Sequence, residues 1–359
     1  MRQAKRPTIK DVAHFANVSL GTVSNVLNGR VERMRPATLR RIERVISKLS
    51  YHPNRVARQL RTGRAHTIAL MVPSVANPFW GALAWHVESV ALVHGYQVIL
   101  CNSERDPGRE QRYVAQLLKD GVQNLIIGSS LPSLDHLTDS IGHGLNVIAF
   151  DHPAQPSDPS TVVSLTVDNH RGAWLAVRYL LKLGHRRIAF VSGPLRTISR
   201  VERLNGYRTA LAGAGVDFDE TLVWTGGSHK GSGDVRSAEL GRLGARRLLQ
   251  LGNRPTAVFA INDMYAFGAC AGAREQGLSV PDDVSVVGFD DIVLARLVNP
   301  PLTTVKQPLR EMAQVAIRHF VDGGQSGRNS SSSIVLPPRL VARASTAPPG
   351  SRNHTEEVR

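Results

Sequence analysis

Leu20, Gly21, Thr22 and Asn25 are spaced to share the outward side of a short helix near the N-terminus, and their chemistry is that of base recognition. An asparagine amide pairs with adenine through two hydrogen bonds in the major groove; Leu20 suits a thymine methyl, and Gly21 lets the backbone come close. Lys10, Ser19, Thr22 and Ser24 carry the charge and hydroxyls that grip phosphate oxygens and fix register without reading sequence. Further on, Tyr51–Arg64 contains no acid. Within it, Asn54, Arg58 and Arg61 are expected DNA contacts. Leu60, an apolar side chain among arginines, suits a wedge between base steps of the minor groove.

The charge distribution supports a polyanion partner. Residues 1–64 hold fifteen Lys and Arg against Asp11, Glu32 and Glu43, so +12 of the chain's formal +15 lies there. The rest is close to neutral. This is the footprint of a nucleic-acid-binding head on a balanced body.

The elements that must position these residues are legible. Thr8 and Asp11 form a capping-box-like start to a first helix, with Ile9, Val12, Ala13 and Ala16 on one face. Asn17 tolerates the left-handed turn that follows, and Val18 plugs the core. Ser19 caps a second helix whose Val23, Val26 and Leu27 face inward, and Asn28-Gly29 ends it. The pattern predicts a helix-turn-helix. A third helix follows Pro36, with Leu39, Ile42, Ile46 and Leu49 inward and Arg40, Arg41, Arg44 and Lys48 on its other faces. Pro53 opens a fourth, with Val56, Ala57 and Leu60 on one face, too short to be stable alone in water.

At 359 residues, 42% hydrophobic and 20% charged, the chain suits two or three globular domains. No apolar run is long enough to span a bilayer, and Met1–Pro7 leads into no apolar signal core, so a cytoplasmic location is expected. Cys101 and Cys270 read as reduced thiols, not as a disulfide or a metal site. No cofactor and no metal are expected. The organisation predicted is a helix-turn-helix at 1–50, a hinge at 51–64, a core at 65–345 and a disordered tail at 346–359. Residues 326–333 read as a flexible loop.

The core reads as α/β. Candidate strands are Ile68–Val72, Gln97–Leu100, Leu125–Ile127, Val147–Phe150, Val163–Val167, Ile188–Val191, Ala257–Ile261 and Ser285–Phe289. Amphipathic segments such as Ala82–Leu92, Glu110–Leu118, Arg171–Leu183, Arg203–Ala212 and Leu240–Leu251 separate them. The alternation predicts parallel sheets covered on both faces, with ligands beyond the strands' carboxyl ends.

Thr8-Ile9-Lys10-Asp11-Val12-Ala13, Val18-Ser19, Thr22-Val23-Ser24, Val26-Leu27-Asn28 and the Tyr51–Leu60 run resemble the lactose/purine repressor (LacI/GalR) family. The likeness continues through Asn77-Pro78-Phe79, Leu183-Gly184-His185, Asn262-Asp263, Val280–Asp291 and Leu302-Thr303-Thr304-Val305. The resemblance implies a dimer with paired hinge helices, a pseudo-palindromic double-stranded operator, and Leu60 intercalated at the operator centre. It also implies a periplasmic-binding-protein-like (type I) core of two subdomains crossed three times by the chain. On that basis the subdomains are expected at about 65–164 plus 293–322 and 165–292 plus 323–345.

By the same resemblance, the effector site comprises Phe79, Trp80, Ser130, Asp151, His152, Arg203, Asn262 and Asp290. His152 departs from the family's usual Asp-Arg pair. Asp, Arg and Asn together suit vicinal hydroxyls. Ser228 stands where the family commonly has a bulky aromatic, which favours a sugar over a purine. The expected function is a sugar-controlled DNA-binding repressor acting as a homodimer. The alternatives are a nucleobase or nucleoside co-repressor and a sugar-binding transport receptor. The chain carries no nucleophile elbow or zinc pair, and the order of Gly226–Gly233 is wrong for a P-loop, so an enzyme is not expected.

Overall fold

A computed structural model describes residues 7–27, 30–32, 34–51, 66–128, 130–155, 158–159, 161–226, 236–323 and 333–350. The chain divides into two compact units, Met1–Ala65 and His66–Arg359.

The first unit packs α1 (Ile9–Ala16), α2 (Leu20–Leu27) and α3 (Pro36–Lys48) around Val12, Ala13, Ala16, Val23, Ile42 and Tyr51. Thr8 caps α1 in a full capping box: its backbone N–H donates to Asp11 Oδ2 at 2.7 Å, and its hydroxyl accepts from the Asp11 N–H. Asn17 ends α1 at φ 48, ψ 55, and the Ser19 hydroxyl accepts from the Thr22 N–H at 3.1 Å to start α2. The tight turn therefore rests on one left-handed residue and two caps. Asn28-Gly29 and the expected hinge contacts Asn54, Arg58, Leu60 and Arg61 lie outside the described residues.

In the second unit the order is β1 (Thr67–Val72), α4 (Pro78–Val93), β2 (Gln97–Asn102), α5 (Pro107–Lys119), β3 (Asn124–Ile127), α6 (Thr138–Gly142), β4 (Asn146–Phe150), β5 (Val163–Val167) and α7 (Asn169–Lys182). It continues with β6 (Ile188–Val191), α8 (Ile198–Ala212), β7 (Val223–Trp224), α9 (Ser237–Leu249), β8 (Ala257–Ala260), α10 (Asp263–Arg274), β9 (Ser285–Asp290) and β10 (Thr303–Lys306). The last elements are α11 (Leu309–Val321), β11 (Ser333–Leu336) and β12 (Arg339–Val341). One six-stranded sheet runs β11-β5-β4-β3-β1-β2 and the other β12-β10-β9-β8-β6-β7, all parallel except β12.

Strand β1 shows why both faces are covered. Ile68, Leu70 and Val72 join the core under α4 and α11, while Ala69 and Met71 join the opposite core with Val114 and Leu117 of α5. A strand with period 2 and no polar side must be buried twice. In the second sheet the helices approach almost to backbone contact. A Cβ on Gly206 of α8 would lie 2.2 Å from the His170 carbonyl oxygen of α7.

The chain crosses between the sheets three times: after β5, after β10 and after β11. The expected subdomain bounds are corrected accordingly. Residues 165–167 stay with the first sheet, β10 belongs to the second, and β11 returns to the first. Thr303–Lys306 has no apolar run to mark it as a strand, and nothing local in Ser333–Leu336 tells which sheet it joins. Ser333 is thus in a strand, although the rest of the expected 326–333 loop is outside the described residues.

The expected disordered tail is also corrected at its start. The Ala347 N–H donates to Ser285 Oγ at 2.9 Å, His185 Nε2 lies 2.9 Å from the Ala347 carbonyl, and Thr346 Oγ1 lies 3.2 Å from Tyr179 Oη. Residues 351–359 are outside the described set. Among the described residues, no helix is long and apolar enough to cross a membrane, and no group of three His, Cys, Asp or Glu could hold a metal ion.

Candidate functional site

Backbone strain in the second unit collects at strand carboxyl ends. Glu104 and Arg105 after β2, Ser130 after β3, Asp151 after β4 and Asp290 and Asp291 at β9 all have positive φ, from 55° to 123°. Non-glycine residues hold such angles only where surrounding contacts fix them, and they cluster at functional sites. Here they ring a cleft between the two sheets, where α/β folds bind ligands.

The cleft encloses a cavity of about 40 Å³ lined by Phe79, Trp80, Asp151, Arg203, Asn262 and Asp290, with Arg105, Arg200, Ser199 and Gln307 beside them. Arg203, on α8, is its centre. Its Nε donates to Asn169 Oδ1 at 2.8 Å, its Nη1 to the Ile261 carbonyl at 2.7 Å, and its guanidinium lies 3.6 Å from the Phe289 ring centroid. Burial pulls Arg203 below its usual value, opposed by Asp290, Asp151 and Asp263. Asn169 Nδ2 in turn donates to Asp151 Oδ1, so Asn169 ties Arg203 to the carboxyl end of β4.

Asp290 accepts from Gln307 Nε2 at 2.8 Å and stands 3.9 Å from Arg203 Nη1. Burial drives its carboxyl up to about 7, with Arg203 and Gln307 pulling back. Asp263 lies under the floor, fully buried, accepting from Ile292 N–H at 2.9 Å and from the Thr304 hydroxyl. Burial and Asp290 raise it well above the carboxylate range. Asn262 Oδ1 caps α10 by accepting the Tyr265 N–H at 3.0 Å, which fixes its amide at the cavity wall.

Other expected residues stand differently. Phe79 and Trp80 are mostly core: they are 8% and 5% exposed, packed edge to face, and reach the cavity only at their margins. Ser130 is a strap across the cleft. Its hydroxyl donates to the Asp151 carbonyl at 2.7 Å and lies 3.1 Å from Ser199 Oγ, while its carbonyl accepts from Ile198 N–H at 3.2 Å. His152 is a correction, because the left-handed turn at Asp151 carries it off the cavity. Its Nδ1 lies 2.9 Å from the Leu131 carbonyl and its Nε2 3.0 Å from Asp158 Oδ2, so both ring nitrogens are committed. Ser228 lies outside the described residues.

Sequence reading missed Asn169, Gln307, Arg105 and Arg200. Asn169 and Gln307 each follow a crossing between sheets, which only the topology reveals. Arg200 had a signal: three residues before Arg203, it shares that helical face.

On the first unit, Leu20 is 44% exposed, and Lys10, Gly21 and Asn25 are exposed as well. Thr22 and Ser24 are half-buried, and the Ser19 and Thr22 hydroxyls lie 2.8 Å apart. Arg40, Arg41, Arg44 and Lys48 are exposed on α3.

Known proteins match both units. The family model for bacterial regulatory proteins, lacI family, matches residues 8–54, and that for the periplasmic binding protein-like domain matches residues 177–346. The HTH-type transcriptional regulator DegA of Bacillus subtilis (strain 168) is 38% identical over 348 residues, 96% of this chain and 99% of DegA. The Lac repressor dimer bound to operator and the anti-inducer ONPF is 30% identical with TM-score 0.81, over 96% of this chain and all of that one. The transcriptional regulator CelR–cellobiose complex is 31% identical with TM-score 0.67, over 95% of this chain and 100% of its own. Matched in head and body and along the full length of such relatives, the chain belongs to the lacI family of bacterial regulatory proteins, DNA-binding transcriptional regulators rather than enzymes.

Proposed function

We propose that this regulator is a repressor whose homodimer releases its operator when a sugar occupies the cleft. The observation that carries the reading is the convergence of Arg203, Asp290, Asn262, Gln307 and Asp151 on one cavity. Carboxylates accept from hydroxyls, a guanidinium donates in fixed directions, and amides do both, which matches vicinal hydroxyls better than it matches an apolar ring. At about 40 Å³ the cavity is far below the few hundred Å³ of ordinary ligand pockets. A sugar therefore has to displace internal bonds and part the walls. Binding then favours one cleft geometry over another, which is the requirement for a ligand to shift an equilibrium.

A homodimer gives the head a second copy and the operator its two-fold symmetry. Trp85, Leu92 and Val93 of α4, which are 64%, 68% and 83% exposed, and Ile99 and Leu100 of the edge strand β2 supply an apolar surface for the twin. In the head, the exposed Asn25, Leu20 and Gly21 are the base readers, with Lys10, Ser19, Thr22 and Ser24 on phosphates.

The test is fluorescence anisotropy on a duplex selected from random sequence by the full-length protein, titrated with sugars and nucleobases. A sugar that weakens binding at least tenfold supports the reading. A nucleobase that strengthens it, with no sugar effect, overturns it.

A further inference from the structure

We propose that the effector is an anionic sugar, with a phosphate or carboxylate held at the cleft mouth by Arg105, Arg196 and Arg200; this rests on the sugar reading above.

Beside the hydroxyl-matching set lies a second cavity of about 310 Å³, lined by Glu104–Pro107 and Arg109 from the first sheet and by Pro194, Arg196, Thr197 and Arg200 from the second. Arg105, Thr197 and Arg200 border both cavities, so a sugar in one places its substituent in the other. The mouth is thus built from both subdomains, and its side chains carry four guanidinium groups.

The two acids that line it are engaged. Glu104 pairs with Arg109 at 3.0 Å, and Asp106 caps α5 by accepting the Arg109 N–H. Glu110 bonds His136 through Oε2 at 2.7 Å, and its charge, with that of Asp151, favours the Arg105 cation. Arg200 is only 7% exposed; its guanidinium makes one hydrogen bond, to the Pro194 carbonyl at 2.9 Å, and no ion pair among the described residues. Arg105 is buried beside it. Burial, and after it the charge of Arg200, pulls Arg105 down to about 9 despite Asp151 and Glu110. Arg105 still remains a cation at neutral pH.

A buried guanidinium such as that of Arg200, with a second cation beside it, is costly unless an anion approaches it. Oxyanions answer that need with short, charge-assisted and often bidentate bonds, which a neutral hydroxyl does not. A neutral donor lies behind Arg200. The Tyr265 hydroxyl is buried without a hydrogen-bond partner among the described residues. It faces the Cα of Gly193, where an added Cβ would lie 2.4 Å from that hydroxyl and 3.0 Å from Arg200 Nη1. Gly193 leaves this corner open.

The experiment is calorimetric titration of the full-length protein with neutral hexoses, hexose phosphates, hexuronates and inorganic phosphate. One anionic sugar class is expected to bind at least tenfold more tightly than its neutral parent, with affinity falling as salt rises. Preference for phosphate or for carboxylate separates the two sources. Arg200→Gln should cost that anionic sugar tenfold or more, and Arg200→Lys should restore part of it. Operator binding by each variant without sugar reports that it is folded. Equal affinity for neutral and anionic forms, or an Arg200→Gln variant that keeps the preference, overturns the anionic assignment and leaves the sugar reading standing. Binding of neither sugar class overturns both.

Discussion

Arg203 and Asp290 face each other without a direct hydrogen bond. Nη1 of the arginine stands 3.9 Å from Oδ1 of the aspartate and donates instead to the Ile261 carbonyl at 2.7 Å, while Asp290 takes its bond from Gln307. The pair attracts but is not locked, so a ligand hydroxyl can accept from one partner and donate to the other. Asp290→Asn removes the charged acceptor. Sugar affinity should fall about 10- to 100-fold, the worth of a hydrogen bond to a charged group. Operator binding without sugar should stay near wild type. A variant that releases operator at the wild-type sugar concentration places the effector elsewhere.

Acidity of the same floor sets a stability profile. An unfolded aspartate ionises near 3.9, whereas Asp290 holds its proton to about 7 and Asp263 is raised as well. Between those limits the folded chain binds more protons at Asp290, so this group makes stability fall as pH rises, by up to about 1.4 kcal/mol per pH unit, and the raised Asp263 acts in the same direction. The cost from Asp290 is complete above about 7. His185 acts oppositely: burial lowers it, so the unfolded chain binds the extra proton below 6.5, and its contribution grows as pH rises toward 6.5 and is complete above it. The discriminating quantity is therefore the Tm difference between wild type and Asp290→Asn from pH 5 to 8. It should widen in favour of the variant, and parallel profiles would contradict the assignment.

Close helix packing predicts a second stability effect. Gly206→Ala places a methyl against the His170 carbonyl and should cost about 1–3 kcal/mol through overpacking. Gly252, with open space around it, should tolerate alanine within about 0.5 kcal/mol. Urea unfolding of the two variants gives the contrast.

In the head, Asn25→Ala should cost about 1–3 kcal/mol on the selected duplex and relax preference at one base per half-site. Arg41→Ala, on the exposed side of α3, should weaken all sequences alike. Uniform losses from both would make Asn25 a phosphate contact.

A charge on the apolar face of α4 should separate the twins. Leu92→Glu is expected to raise the dimer dissociation constant at least tenfold, about 1.4 kcal/mol, by sedimentation equilibrium. An unchanged constant moves the interface to another surface.

How far the sequence reached follows from where its signals are local. Each of the eight proposed core strands overlaps an observed one, because all but the exposed edge strand β2 are largely buried on both faces and so are written mainly in apolar residues. Strands β7 and β10 to β12 did not show, since they are only two to four residues long and, for β10 to β12, pair only where the chain crosses between sheets. The capping box at Thr8, the turn at Asn17 and the cap at Ser19 were readable because each is set within a few residues. Arg203, Asp290, Asn262 and Asp151 lie on the cavity, whereas His152 was drawn to Asp158 by a backbone turn that its own identity does not encode. Arg105 joins the site through a left-handed backbone at φ 56, which arginine does not advertise.

The three strand-to-strand crossings have a mechanical consequence. Three nearby tethers leave two rigid plates little freedom beyond a single rotation, as a door has on its frame. Two of the tethers are followed or formed by proline, at Pro308 and at Pro337-Pro338, which stiffens them against twisting and stretching. Asn169 and Gln307 stand at the crossings themselves, and each bonds a residue that lines the cleft cavity. On the proposed reading the hinge and the sensor are in part the same atoms, so a ligand in this cavity would reach the axis of motion without any relay.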